Sequence, residues 1–410
     1  MATVRPFRAL RPQAKSAAAV SSVPYDVVST EEARRLAAGN PLSFLHVSRA
    51  EIDLPEGTDP YSDAVYRRAV ENFESLKRAA PLEREEEESL YLYRLRMEGR
   101  EQTGIAGACS LDEYDSDVIR KHERTRRDKE DDRTRHMLDL SAQTGPVFLT
   151  YRGRPEIDEI VEAKKREAPL FDFTSADGVS HTVWRVGGAE AGRLAEQFRP
   201  APLLYIADGH HRAASAARAR RELAGRNAGN TGNEPYNFFL AVAFPSAQVR
   251  ILPYNRVVKD LNGASPAEFL AALKEKFPVT EDAPPSPHRK GDAAVYVAGR
   301  WYGLRIPPGG VATGGAIGSL DAAVLQEKVL EPLLGIKDIR TDKRLDFIGG
   351  IRGTAELERL VDSGKFAVAF SLYPVSLDEL MAVSDANQIM PPKSTWFEPK
   401  LRDGLLIHSI

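Results

Sequence analysis

The sequence predicts an α/β protein, with strands and helices interleaved along all 410 residues. Three observations carry that expectation. Apolar runs of strand length recur at Pro146–Tyr151, Tyr236–Phe244 and Phe366–Tyr373. Runs without polar alternation suit strands that are covered on both faces. Between them lie helical patterns such as Tyr61–Ala80, with Ala64, Val65, Ala69, Phe73 and Leu76 on one face. Finally, Pro202-Leu203-Leu204-Tyr205-Ile206 leads through Asp208-Gly209 into Ala213-Ala214-Ser215-Ala216-Ala217-Arg218. That order reads as a strand that turns on a glycine straight into a helix.

In chain order, Ser29-Thr30-Glu31-Glu32 has the form of a helix start, with a capping side chain and acidic first-turn residues. Glu83–Glu88 is a charge block, read as solvated surface before a strand. Leu90–Met97 and Gln102–Ala108 flank Glu98-Gly99-Arg100 and predict a hairpin. Asp115–Leu140 is highly charged and reads as a loop leading into a helix. A helix over Asp158–Lys165 and a strand over His181–Val186 follow. Glycines and asparagines from Arg226 to Glu234 mark a loop, and Pro284-Pro285-Ser286-Pro287 marks another. Ala293–Val297 and Trp301–Ile306 predict a second hairpin, and Asp321–Leu334 and Leu377–Val383 predict helices. Gly309–Gly318 is glycine-rich but fits neither GxxxxGK[ST] nor GxGxxG.

Composition narrows the class. Lysine and arginine total 56 against 59 acidic residues, a net charge of -3. That balance gives no pull toward nucleic acid or an anionic membrane. The single cysteine, Cys109, rules out an internal disulfide framework or a cysteine-rich zinc site. It sits among small residues and reads as core packing. The N-terminal residues lack the continuous apolar run of a signal peptide, and no stretch has the length of a membrane span. A soluble cytoplasmic protein is expected, and a homodimer is compatible with the sequence.

Three polar clusters stand out. Lys121-His122-Glu123-Arg124-Thr125 is followed by Arg133. Asp208-Gly209-His210-His211-Arg212 lies at the strand-to-helix turn. Met390-Pro391-Pro392-Lys393-Ser394-Thr395-Trp396-Phe397-Glu398-Pro399-Lys400 is a stiff run near the end. The second cluster is chemically the most pointed. A helix N-terminus offers unpaired N–H groups and a positive dipole end, which suits phosphate. Gly209 lets a ligand approach the backbone, and Arg212 offers a fork of donors. One residue at a time, Asp208 reads equally as a helix cap and the histidines as surface residues. Neither His-Glu nor His-His here has the spacing of a known metal motif, so a transition-metal hydrolase ranks second.

The order of the first two clusters resembles the ParB/sulfiredoxin-like fold, and within it the free serine kinases. The whole chain is also similar to the family named domain of unknown function 1015. The matching stretches are Val23-Pro24-Tyr25-Asp26-Val27, His122-Glu123-Arg124-Thr125, Ile206-Ala207-Asp208-Gly209-His210-His211-Arg212 and Met390-Pro391-Pro392-Lys393-Ser394-Thr395. The resemblance implies a ParB/sulfiredoxin-like mixed core over residues 115–245, with an insertion near 152–200. Flanking α/β regions would cover 1–114 and 246–410. It implies a kinase that transfers a phosphoryl group from ATP or ADP, with Mg²⁺, to the hydroxyl of free L-serine.

The expected roles follow from that resemblance. Glu123 is the base, with His122 and Asp208 beside it in catalysis. Gly209, His210, His211, Arg212 and Arg133 hold nucleotide phosphates. Asp208 ligates the metal. Lys393, Ser394 and Thr395 stabilise charge or bind the acceptor's carboxylate. The rivals are a nucleotide hydrolase and a nucleotide-binding regulatory protein. A DNA-partitioning relative would require a helix-turn-helix segment and a basic face, and the sequence has neither.

Overall fold

The computed structural model describes residues 2–306 and 314–410. Residues 309–313 of the glycine-rich run therefore lie outside the described residues. The chain forms two compact bodies, Met1–Val249 with Pro399–Ile410, and Arg250–Glu398.

The first body is built on a nine-stranded mixed sheet. In chain order its strands are β1 (Val4–Arg5), β2 (Leu90–Met97), β3 (Arg100–Ser110), β4 (Ile119–Arg120), β5 (Val147–Tyr151), β6 (Phe171–Thr174), β7 (Ser180–Val186), β8 (Leu204–Asp208) and β9 (Phe238–Pro245). Across the sheet they run β4-β8-β5-β9-β3-β2-β7-β6, with β1 paired to β3. The β5–β9 and β4–β8 pairs are parallel and the others antiparallel. All of β5 is buried, and so is β9 apart from Phe238. That is the two-sided cover that unalternating apolar runs anticipate. β2 and β3 form the expected hairpin, turned by Glu98 and Gly99 at φ 52° and 74°. Two consecutive left-handed residues match the right-handed twist of the strands.

β3 pairs with β9 from Phe238↔Ser110 to Ala243↔Ile105. Residues 90–110 thus share one sheet with residues 147–151, 204–208 and 238–245. The compact bodies divide near residues 249 and 399.

Three helices matter for the site: α1 (Asp63–Ala79), α2 (Arg127–Leu140) and α3 (His210–Arg226). α1 buries Val65, Tyr66, Ala69, Phe73 and Leu76. α3 buries Ala213, Ala214, Ser215, Ala216, Ala217 and Ala219. Its alanines join Ile206, Leu149 and Ala241 in the main core. Methyl groups let the helix backbone lie close to the sheet, so an Ala216→Leu change would overpack the core at a cost of about 1–3 kcal/mol. Cys109 is buried in that core, where burial pushes its thiol up, as a packing residue would be.

The acidic block is not uniformly solvated. Glu85 is buried and accepts from Arg11 Nε at 2.5 Å, with Arg185 Nη1 at 3.4 Å. A buried carboxylate needs such partners. Residues 399–410 return to the first body, where Asp403 pairs its backbone with Ser22, and His408–Ser409 pair with Ala142–Gln143. Arg402 fixes this return by donating to His181, Ser175 and Asp177.

The second body holds a six-stranded antiparallel sheet. Its strands are β10 (Tyr254–Val258), β11 (Val279–Glu281), β12 (Asp292–Val297), β13 (Arg300–Arg305), β14 (Leu345–Gly349) and β15 (Val368–Leu372). They lie in the order β11-β13-β12-β15-β10-β14, and β12–β13 is the second expected hairpin. The helix expected over Asp321–Leu334 is regular only to Leu325 and widens into a π turn over Gln326–Leu330. Among the described residues, no helix is long and apolar enough to cross a membrane.

Candidate active site

The β8–α3 junction positions the first half of the site. The register of β8 on β5 shifts between Ile206 and Asp208. Ala207 is the extra residue, and such a bulge re-aims the side chain that follows it. Gly209 then adopts φ 92°, ψ 28°. A Cβ there would sit 3.0 Å from Arg212 Nε, so glycine is required by conformation and by space. Ala213 N–H to Gly209 C=O is the helix's first bond. The N–H groups of His210, His211 and Arg212 therefore have no acceptor within the helix.

Asp208 is held as an anion. Its Oδ1 accepts from Gly209 N–H at 2.9 Å and its Oδ2 from the Lys400 ammonium at 3.1 Å. Arg212 Nη2 lies 3.7 Å from Oδ2. Burial pushes this carboxyl up, but Lys400 and Arg212 outweigh it and hold it well below the usual carboxylate range. Arg212 is 8% exposed, donates through Nη1 to the Pro146 carbonyl, and leaves Nε without an acceptor.

The segment between β4 and α2 supplies the second half. His122 N–H donates to His210 Nε2 at 3.4 Å, and Arg126 N–H to His211 Nε2 at 3.0 Å. Each neutral imidazole that accepts at Nε2 carries its proton on Nδ1. The His122 and His210 rings meet edge to face with centroids 4.4 Å apart. His122 is 2% exposed, and neither of its ring nitrogens has a formed hydrogen bond. The Ile206 carbonyl faces the ring without reaching that geometry, and burial lowers the His122 pKa to about 4. Burial, then the neighbouring His122, drives His210 down as well.

One donor atom each from His122, Glu123 and His210 lies within 4.8 Å of the other two. Two imidazoles and a carboxylate suit a transition metal better than Mg²⁺, which prefers oxygen. Asp208 receives a backbone N–H on one oxygen and an ammonium on the other, which anchors it beside two cations.

Arg212 also lines a solvent-open pocket of about 460 Å³, together with Tyr25, Arg133, Gln143, Thr144 and Asp403. Arg133 binds Asp132 through Nε at 2.8 Å and Nη2 at 2.9 Å, and its guanidinium lies 4.2 Å from the centre of the Tyr25 ring. Asp403 is 3% exposed, and its Oδ1 has no partner. Burial raises its carboxyl to about 7, Arg212 pulls it down and Asp26 pushes it up. Gly145 packs on this carboxylate, and a Cβ there would overlap it.

The structure thus brings together His122, Glu123, Asp208, Gly209, His210, His211 and Arg212, with Arg133 on the neighbouring pocket wall. Lys393, Ser394 and Thr395 belong to the second body. There the Lys393 ammonium lies 5.6 Å from the Tyr254 ring, and Ser394 donates to the Pro391 carbonyl at 2.7 Å. The lysine that reaches Asp208 is Lys400, the second lysine of the proline-rich run. The sequence pointed to no role for Gln143, Thr144 or Asp403, and gave none to Tyr25 or Lys400 within the stretches that contain them. The available signal was Lys400, Arg402 and Asp403 standing among Leu401, Leu405, Leu406 and Ile407.

The pattern of a family described as a protein of unknown function (DUF1015) matches residues 4–323. The chain belongs to this family. The match runs from β1 of the DUF1015 protein into its second body. No curated protein matches the sequence. Among solved structures, a free serine kinase in complex with AMP aligns at 14% identity, covering 72% of this chain and 86% of that one, with a TM-score of 0.34. The same kind of enzyme in complex with ADP aligns at 15% identity, 72% and 87% coverage and a TM-score of 0.34. C-terminally truncated SbnI from Staphylococcus aureus aligns at 13%, 72% and 84% coverage and 0.37. Overlaps this loose assign neither fold nor function to the DUF1015 chain.

Proposed function

We propose that this protein is a small-molecule kinase that moves a phosphoryl group from ATP or ADP to the hydroxyl of free L-serine. One observation carries the reading. The Glu123 segment, 85 residues or more away in sequence, is bonded to the first turn of α3 at both His210 and His211. A carboxylate therefore stands beside a helix N-terminus suited to phosphate. Phosphoryl transfer asks a protein for little else than positioning, charge neutralisation and a group to take the hydroxyl proton.

In this reading the first turn of α3, at His210 and Arg212, faces the transferring phosphates, and Arg212 Nε supplies a charged donor. Glu123 takes the proton from the serine hydroxyl. His122 and His210 stay neutral at pH 7 and so leave the Glu123 proton acceptor without an added cation. Asp208 fixes Arg212 and Lys400. The Arg212–Asp403 pocket supports the choice of acceptor, because a zwitterion brings an ammonium for Asp403 Oδ1 and a carboxylate for the guanidinium wall. Mg²⁺ would enter on the nucleotide's phosphates and neutralise charge there. We read residues 115–245 as a ParB/sulfiredoxin-like core and the setting as cytoplasmic. The test is calorimetric. Arg212→Ala should weaken ADP binding about tenfold or more, since a charge-assisted contact contributes about 1.5–3 kcal/mol. Equal affinities would remove the nucleotide from this turn.

A second reading rests on the His122–Glu123–His210 cluster. A transition metal held there would suit hydrolysis of a nucleotide instead of transfer to an alcohol. Dialysis of Zn²⁺ against the wild type and His122→Ala separates the two, since only the metal reading requires binding that the variant loses.

A further inference from the structure

The second body contains a buried cation with no anion opposite it. Arg256 lies on β10, between β15 and β14, and is 2% exposed. Its Nη1 donates to the Tyr254 carbonyl, and the Phe347 ring centre is 5.6 Å from its Cζ. Among the described residues no carboxylate lies within ion-pair reach of it, and burial draws its pKa down to about 10. A guanidinium taken from water without a counter-charge is expensive. A fold that keeps one gains most when a ligand supplies the partner.

Arg256 borders a shallow, solvent-open cleft, lined also by Lys290, Asp321, Tyr373, Glu379 and Ser394. The two carboxylates on that wall are already engaged. Glu379 takes the Lys290 ammonium and the Ser376 N–H, and Asp321 Oδ2 accepts from Gly291 N–H at 3.0 Å. Ser394 is brought to the cleft by the proline-rich run and braced on the Pro391 carbonyl at 2.7 Å, which gives that stiff segment a purpose.

We propose that this cleft is an oxyanion site, in which the Arg256 fork receives the carboxylate or phosphate group of a small metabolite. Five N–H donors in one plane match two oxygens of either group, and one bond to Tyr254 leaves most of them available. The site stands apart from the phosphoryl-transfer reading, and neither depends on the other.

The experiment titrates the full chain with acetate and, separately, with inorganic phosphate, by calorimetry and by thermal unfolding. The wild type and Arg212→Met should both bind at least one of the anions, and unfold later in its presence. Arg256→Met should lose that binding while unfolding no earlier than wild type without anions, because it removes an unpaired buried charge. Arg256→Lys, which keeps the charge and loses the fork, should weaken binding about tenfold or more. Binding of acetate alone identifies a carboxylate ligand and binding of phosphate alone a phosphate ligand, and both support the site. The proposal is overturned if neither anion binds, or if Arg256→Met binds as tightly as wild type. Loss of binding in Arg212→Met with retention in Arg256→Met would place the anion in the first body and also overturn it.

Discussion

Replacing Asp403 by Asn should stabilise the first body at alkaline pH and matter far less in acid. Asp403 is 3% exposed, and its carboxyl is raised from 3.8 to about 7. Between those values the folded protein holds a proton that the unfolded chain has released. The folded state then binds more protons, so stability falls as pH rises from about 4 to about 7 and stays low above it. Three units at about 1.4 kcal/mol each give a penalty of about 4 kcal/mol at pH 8 and about 1.5 kcal/mol at pH 5. Asn keeps the shape and cannot ionise. Its advantage over wild type should therefore grow by about 2.5 kcal/mol between pH 5 and pH 8, read from urea unfolding followed in the first body. Buried histidines contribute with the opposite sign. His122 and His136, both lowered to about 4, add stability as pH rises from about 4 to about 6.5. They are common to both proteins and cancel in the difference. A difference that is the same at pH 5 and pH 8 would mean that Asp403 ionises normally, and the desolvated pocket wall would be refuted.

Other substitutions test the site piece by piece. Glu123→Gln should lower kcat by about 10²–10⁴ and leave the ADP dissociation constant nearly unchanged in calorimetry, as loss of a proton acceptor requires. Lys400→Met removes the ammonium 3.1 Å from Asp208; it should destabilise the first body by about 1.5–3 kcal/mol at neutral pH. Because the Asp208 carboxyl is held low in the fold, that loss should shrink as pH falls through its titration, as acid unfolding of both proteins would show. Gly209→Ala forces a side chain into φ 92° and against the Arg212 guanidinium. It should cost about 1–2 kcal/mol in backbone strain and weaken ADP binding together, measured by urea unfolding and calorimetry.

Much of the fold was legible where its causes are local. β5 and β9 are buried on both sides, and their sequences carry that fact as apolar runs. The β2–β3 hairpin announces itself through Glu98-Gly99. The Asp208–Arg212 turn was legible because strand, glycine and helix follow one another without a gap. What escaped depends on distant pairing. Lys400 meets Asp208 across 192 positions, and Asp403 gains its raised carboxyl from burial in the fold and then from Asp26. Glu85 looks solvated within its acidic block until Arg11 and Arg185 reach it. No local signal marks the pairing of β3 with β9, which joins residues 90–110 to the sheet of residues 238–245. A π turn after Leu325 interrupts a pattern that reads as one helix.

The central claim is phosphoryl transfer to serine at the Glu123–Arg212 junction. Phosphorus-31 NMR tests it most directly, on purified protein with Mg²⁺, L-serine and either ATP or ADP. The account predicts a phosphomonoester signal that coincides with added O-phosphoserine, depends on serine, and disappears in Glu123→Gln. Inorganic phosphate as the sole product, formed at the same rate without serine, would contradict it.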